Sequence, residues 1–237
     1  MENPYTVFEL LKKRIDANIP TALLRYGDGE GAFCIHRSNF RNTYYFNACH
    51  KHWGEVPRLN ERYRIAANIK NSFLKADIVG ISPPERNGNW LKSREYFLKL
   101  IDKQVITTID IHIYLNDGGF LNELIRGKDV FYLSCRNVDE TILKKYGARS
   151  VKRLLVSPQY KFECKKPQIP FYKDVISIED KLKTLNLKGK ICLLGAGVAG
   201  KQLGIVMKQR GGFVIDIGSV FDLWEGKITR SWIKKYM

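Results

Sequence analysis

The stretch Ile191-Cys-Leu-Leu-Gly-Ala-Gly-Val-Ala-Gly-Lys201 reads as a strand that runs into a glycine turn and opens a helix. A short apolar run bounded by glycines is what a strand buried on both faces looks like. Gly195, Gly197 and Gly200 fit the Gly-x-Gly-x-x-Gly pattern, and Asp216 ends the next apolar run, Phe-Val-Ile-Asp, about 20 residues further on. Strand, glycine turn, helix and strand in that order form a βαβ unit, and such a unit requires a parallel sheet with its helix on one face.

The same alternation extends backwards through the chain. Strands are expected at 21–26, 78–82, 105–109, 130–134 and 153–156, in addition to those at 191–194 and 213–218. Helices are expected between them. Thr6-Val-Phe-Glu9 has the form of a capping box opening the first, which runs to Ile19-Pro20. Pro57 opens a helix to about Lys75 with Leu59, Tyr63, Ala66, Ala67 and Phe73 on its apolar side. Further helices are expected over 90–101, 114–125, 139–146 and 176–185, while 37–53 shows no period and reads as an excursion beside the site. A loop passes through Pro158, Pro167 and Pro170. The expectation is one domain over 1–237, a Rossmann-like α/β fold with a mostly parallel sheet and helices on both faces.

Composition narrows the function. Forty Lys+Arg against 24 Asp+Glu give a net charge of +16, which favours anionic partners. The basic residues are dispersed as pairs such as Lys12-Lys13 and Lys165-Lys166, without the long block of a nucleic-acid arm. Five cysteines without a Cys-x-x-Cys pair argue against a disulfide framework or structural zinc. No apolar run reaches the roughly 20 residues that span a bilayer, and the charged start lacks the apolar block of a signal peptide, so a cytoplasmic location is expected. Trp232 and Ile233 beside Lys234-Lys235 are candidates for peripheral contact with an anionic membrane at its inner face, or for closing the core.

The second decisive stretch is Arg25-Tyr-Gly-Asp-Gly-Glu-Gly31, at the carboxyl end of the first expected strand. Asp28 and Glu30 offer two hard oxygen ligands for Mg²⁺ or Mn²⁺, with phosphate oxygens completing the shell. Gly27, Gly29 and Gly31 permit positive φ and close approach of a ligand. A calcium loop is excluded because its twelfth position holds Asn39 instead of glutamate. His50 and His52 have no third ligand near them in sequence. Arg136, at the end of the strand before it, is a candidate phosphate contact, and Asp110-Ile-His112 offers His112 as a general base or ligand. The Gly195–Gly200 loop with Asp216 is a dinucleotide fingerprint, yet too little chain follows it for a second nucleotide half. It reads as half a site, with Lys201 adding charge to a diphosphate.

Together, these two stretches resemble the GT-D fold glycosyltransferases, a bacterial family first catalogued as a domain of unknown function. In that family an Asp-x-Glu motif is associated with metal and the nucleotide-sugar diphosphate, and it corresponds to Asp28 and Glu30. The family's glycine loop and Asp-x-Gly element correspond to Gly195, Gly197 and Lys201, and to Asp216 and Gly218. The resemblance implies a nucleotide-sugar donor, a UDP-sugar above all, and a glycan, glycoprotein or lipid-linked acceptor. Arg25, Gly27 and Asp222 join the expected donor site, and Asp216, Asp222 and His112 are candidates for the base that activates the acceptor hydroxyl. Two other readings remain: an NAD-binding enzyme or sensor built on the glycine loop, and a basic nucleic-acid-binding protein.

Overall fold

A computed structural model describes residues 1–36, 38, 43–158 and 169–237. Arg37, Asn39, Cys164, the Lys165-Lys166 pair and Pro167 lie outside the described residues. All seven expected strands are present: β1 Thr21–Tyr26, β2 Ile78–Ile81, β3 Val105–Thr108, β4 Asp129–Ser134, β5 Ser150–Leu155, β6 Ile191–Gly195 and β7 Phe213–Asp216. They form one sheet in the order β3-β2-β1-β7-β6-β4-β5, and every pairing is parallel. The sheet's two halves meet where β1 pairs with β7, Thr21 opposite Phe213 and Leu23 opposite Ile215. The edge strand β5 carries exposed Lys152 and Arg153, charges that discourage pairing with another chain.

Two apolar cores lie on the two faces. On one, Leu24, Val79 and Leu194 pack with α2 (Asp28–Ile35), α3 (Thr43–Trp53), α4 (Leu59–Lys75), α5 (Asn89–Leu98), and the helices Phe171–Lys183 and Lys201–Gln209. On the other, Leu23, Tyr132 and Leu193 pack with α1 (Pro4–Asp16), Ile111–Asp117, Phe120–Ile125, a π-helical turn at Thr141–Lys145, and Val220–Trp224. β6 therefore delivers the chain to the first face and its neighbour β4 to the second. Where adjacent strands part in this way, their carboxyl ends open a crevice, and ligands of open α/β sheets bind there.

Several local expectations are corrected. The first helix is capped by Asn3, whose side chain accepts from the Thr6 amide at 2.9 Å, with Pro4 at the first helical position. Leu59, Tyr63 and Ala67 are exposed, while Ala66 and Phe73 are buried as expected, together with Ile65, Ile69 and the stem of Arg62. Gly119, at a φ of 72°, breaks the expected 114–125 helix into two. Thr43–Trp53, read from sequence as an excursion, is helical.

The largest correction concerns Gly27, Gly29 and Gly31. Asp-Gly-Glu-Gly is the first turn of α2, and none of these glycines has a positive φ. Their bareness serves packing: a Cβ on Gly31 would stand 2.3 Å from Ser93 Oγ and 2.9 Å from Ser93 Cα, so α2 and α5 touch backbone to backbone. Ser93 in turn donates to the Gly27 carbonyl at 2.6 Å. Gly31→Ala should therefore lower stability by about 1–3 kcal/mol through overpacking, read from the urea midpoint. An unchanged midpoint would contradict this packing.

Candidate active site

A cleft of about 530 Å³ opens over the carboxyl ends of β1, β7, β6 and β4. Every residue expected in the site lines it: Arg25, Gly27, Asp28 and Glu30 from one side, Gly195, Gly197 and Lys201 from the other. Arg136, Asp216, Asp222 and His112 line it too. The two glycine stretches adjoin directly, since a Cβ on Gly29 would lie 3.2 Å from Val198 Cγ2.

At the floor sits Asp216, on the last residue of β7 and 2% exposed. Lys201 Nζ stands 2.5 Å from its Oδ2, and Arg25 Nη2 stands 3.1 Å from its Oδ1. Arg25 also donates through Nε to the Asp216 carbonyl at 3.0 Å. Burial alone would raise the Asp216 pKa, but the Arg25 and Lys201 charges overcome it and hold the carboxyl well below the usual range. Such a carboxylate is a poor proton acceptor. In this structure it is paired with two cations, which weighs against the base role expected for it. Gly218, in the left-handed region at a φ of 45°, leaves room for Arg25: a Cβ there would fall 1.9 Å from Nη2. The Asp-x-Gly element thus gives a carboxylate for the guanidinium and a gap for it.

Lys201 is 5% exposed and also faces Glu30 Oε1 at 3.3 Å. Glu30 Oε2 accepts from the Gly27 amide at 2.9 Å, closing the first turn of α2. Lys201 was expected to hold a diphosphate and Glu30 a metal. In this arrangement the two engage each other, Lys201 also Asp216 and Glu30 also the Gly27 amide. Asp28 differs. It is half-buried, accepts from the Gly29 amide at 2.9 Å and from the Tyr44 hydroxyl at 2.6 Å, and faces the cleft. Burial first, and then the Asp28 carboxylate, keep the Tyr44 phenol protonated far above its ordinary range. A carboxylate offers about four lone-pair sites, so Asp28 keeps capacity for a hard cation. Among the described residues no group of three His, Cys, Asp or Glu converges on one point. The donor set fits a Mg²⁺ or Mn²⁺ ion held by one protein carboxylate beside phosphate oxygens, a common arrangement for these ions. It does not supply an all-protein cage.

His112 is 5% exposed, with Nδ1 2.7 Å from Arg25 Nη1. A guanidinium can only donate, so Nδ1 must accept and the imidazole proton sits on Nε2. Burial, and next the Arg25 charge, push the His112 pKa well below its ordinary value. With Nδ1 engaged by Arg25 the ring offers an N–H at Nε2, which weighs against the general-base role expected for it. Asp110 and His112 also do not share an extended segment, because Asp110 is the N-cap residue of Ile111–Asp117.

Arg136, expected at a phosphate, is 3% exposed and donates through Nε to Asp222 Oδ1 at 2.7 Å, while Asp222 Oδ2 accepts from the Thr229 hydroxyl at 2.5 Å. The pair ties the end of β4 to the carboxyl-terminal segment. Sequence reading passed over that segment's Arg230, whose side chain lines the cleft. Trp232 is also placed here, edge-on to His112 at 5.7 Å, and Ile233 is fully buried. Of the apolar pair offered for a membrane surface or for closing the core, Ile233 is thus buried and Trp232 partly buried against the core. Arg86, Trp90 and Asp110 were missed as site residues. They follow β2 and β3, and the rule that loops at carboxyl ends carry ligands would have marked them.

A family model described as a GT-D fold-like domain matches residues 2–224. Among solved structures, one described as the highly conserved domain of unknown function 1792 with a distinct glycosyltransferase fold aligns with a TM-score of 0.59 at 17% identity, covering 93% of this chain and 83% of that one. A second, described as a new glycosyltransferase from Streptococcus sanguinis, aligns with a TM-score of 0.56 at 16% identity, covering 90% and 81%. No curated protein matches the chain in sequence.

Two outcomes follow from the buried charges. Asp216→Asn should cost about 3–5 kcal/mol by leaving Arg25 and Lys201 short of a counter-charge, read by denaturant unfolding. A loss under 1 kcal/mol would contradict the arrangement. Nitrogen-edited NMR should show His112 neutral at pH 6 with its proton on Nε2. The unfolded chain takes up a second ring proton at about pH 6.5 and the folded chain resists it, so stability contributed here is complete above that pH and falls below it. A proton on Nδ1 would overturn the tautomer.

Proposed function

The chain belongs to the GT-D-like family, and from that premise we propose that it is a metal-dependent glycosyltransferase acting on a nucleotide-sugar donor, a UDP-sugar in the first instance. The observation that carries this reading is the meeting of two glycine stretches, Gly27–Gly31 and Gly195–Lys201, across one cleft at the carboxyl ends of the central strands. The acceptor is a glycan, a glycoprotein or a lipid-linked saccharide, as in assembly of a surface polysaccharide.

In the reaction a sugar leaves a diphosphate whose negative charge grows as the bond to C1 breaks, and fixed positive groups stabilise that charge. Asp28 would hold the Mg²⁺ or Mn²⁺ ion, which supplies charge stabilisation at the phosphoryl oxygens when bound. On the opposite wall, Gly197 at a φ of 60° turns the chain into Val198–Gly200, and the first amides of that helical start have no acceptor within it. They offer N–H groups to a phosphate. The His112 Nε2–H is a further donor. Arg25 and Lys201 act through Asp216, which fixes their positions, so that their field reaches the diphosphate without either side chain having to reorganise.

The NAD reading requires the acid at the end of β7 to accept from a ribose. Asp216 is bound by Lys201 and Arg25 instead, which weighs against that reading. The nucleic-acid reading draws on net charge alone, and Arg25, Lys201, Arg86 and Arg136 at the cleft are each paired with a carboxylate.

Calorimetry should detect saturable UDP binding that requires Mn²⁺ or Mg²⁺ and weakens at least tenfold in Asp28→Asn. Glu30→Gln should lower stability more than affinity. UDP binding indifferent to chelator, or tight NAD binding in its place, would overturn the proposal.

A further inference from the structure

Transfer with a single displacement requires a base for the acceptor hydroxyl, and the cleft contains five carboxylates. Four have duties already. Asp216 is anchored by two cations, Glu30 by Lys201 and the Gly27 amide, and Asp222 by Arg136 and Thr229. Asp28 faces the donor phosphates. The fifth is Asp110.

Asp110 stands just beyond the carboxyl end of β3. Its Oδ2 accepts from Arg86 Nη2 at 2.6 Å, and its side chain is 29% exposed. Among the described residues Oδ1 accepts no hydrogen bond, so the lone pairs that a base needs are present. Arg86 holds the carboxylate by one oxygen and keeps it oriented. The guanidinium itself lies over the Trp90 ring, 4.5 Å from its centroid, which fixes the arginine in turn.

The position suits an acceptor. Trp90 and Ile109 close on the start of α2, since a Cβ on Gly27 would meet Ile109 Cδ1 at 2.8 Å and Trp90 Cζ3 at 3.1 Å. The wall beside the donor loop is therefore apolar and aromatic, as saccharide-binding surfaces are when they pack against the C–H face of a sugar ring. β3 is two strands from β1, roughly 10 Å across the sheet. That leaves room for one pyranose ring between a diphosphate over β1 and β6 and a base over β3.

Resting on the nucleotide-sugar reading above, we propose that Arg86, Trp90 and Asp110 form the acceptor subsite, with Asp110 the catalytic base for a saccharide hydroxyl. As the acceptor oxygen bonds to C1 of the donor sugar, its proton passes to Asp110 Oδ1. The bond from C1 to the diphosphate oxygen breaks, and its electron pair leaves with the diphosphate. Attack opposite the leaving group inverts the configuration at C1.

The test uses the full chain with UDP and Mn²⁺, and a panel of aryl glycosides as probes. UDP affinity is measured first. If wild type binds no UDP, the donor reading falls on its own evidence. With UDP bound, saturation-transfer NMR should detect at least one glycoside, and Trp90→Ala should weaken it at least tenfold while Trp90→Phe retains it. UDP affinity should change less than twofold in Trp90→Ala and Asp110→Asn. In transfer from UDP-sugars to the bound glycoside, Asp110→Asn should lower kcat at least 100-fold with the glycoside KM unchanged, and wild-type product should be inverted. Absence of any glycoside signal on the UDP-loaded wild type, binding unaffected by Trp90→Ala, a retained anomeric configuration, or near-normal kcat in Asp110→Asn would each overturn the subsite.

Discussion

Four charges at the floor of the cleft, Arg25, Asp216, Lys201 and Glu30, hold the site together. They come from β1, β7, the start of the helix after β6, and the start of α2. A single one of them left unpaired out of water would cost several kcal/mol, so each element is bound to the placement of the others. The register that sets Leu23 opposite Ile215 brings Arg25 to Asp216, and the glycine at 218 admits the guanidinium. Binding and catalysis then act on a floor whose charges are already balanced.

This balance changes how the cleft carries out its chemistry. Lysine and arginine already paired with carboxylates contribute a fixed field in a partly water-excluded space. Groups that can contact substrate lie around them: Asp28, the amides after Gly197, the His112 Nε2–H, and Asp110. The sheet explains why these lie together. β6 and β4 send their chains to opposite faces, and the second half of the chain inserts β6 and β7 beside β1, so distant sequence segments share one rim.

Much of the fold was legible because buried parallel strands are near-continuous apolar runs. Each of the seven was readable, and the Gly195–Gly200 turn marked the parallel connection. Helix faces were less legible. In α4 the alternative apolar residues Leu59 and Tyr63 compete with Ile65 and Ile69, and only packing decides between them. The residues of the site were legible as a set and not in their roles. Sequence shows that Lys201 and Glu30 carry opposite charges, but not that they neutralise one another across 170 positions of intervening chain, nor that Arg25 fixes the tautomer of His112. The glycines of Gly27–Gly31 were read as freedom of φ, whereas Ser93, Trp90 and Val198 show that they are spaces for neighbouring side chains.

The central claim is that Gly27–Gly31 and Gly195–Lys201 are two walls of one nucleotide-diphosphate site. A crystal structure of the protein with UDP and Mn²⁺ tests it most directly. The account predicts the diphosphate between Asp28 and the Gly197–Ala199 amides, the ion bonded to Asp28, and the Asp216 ion pairs intact beneath. A diphosphate bound away from this cleft, or one that displaces Lys201 from Asp216 to reach its charge, would contradict it.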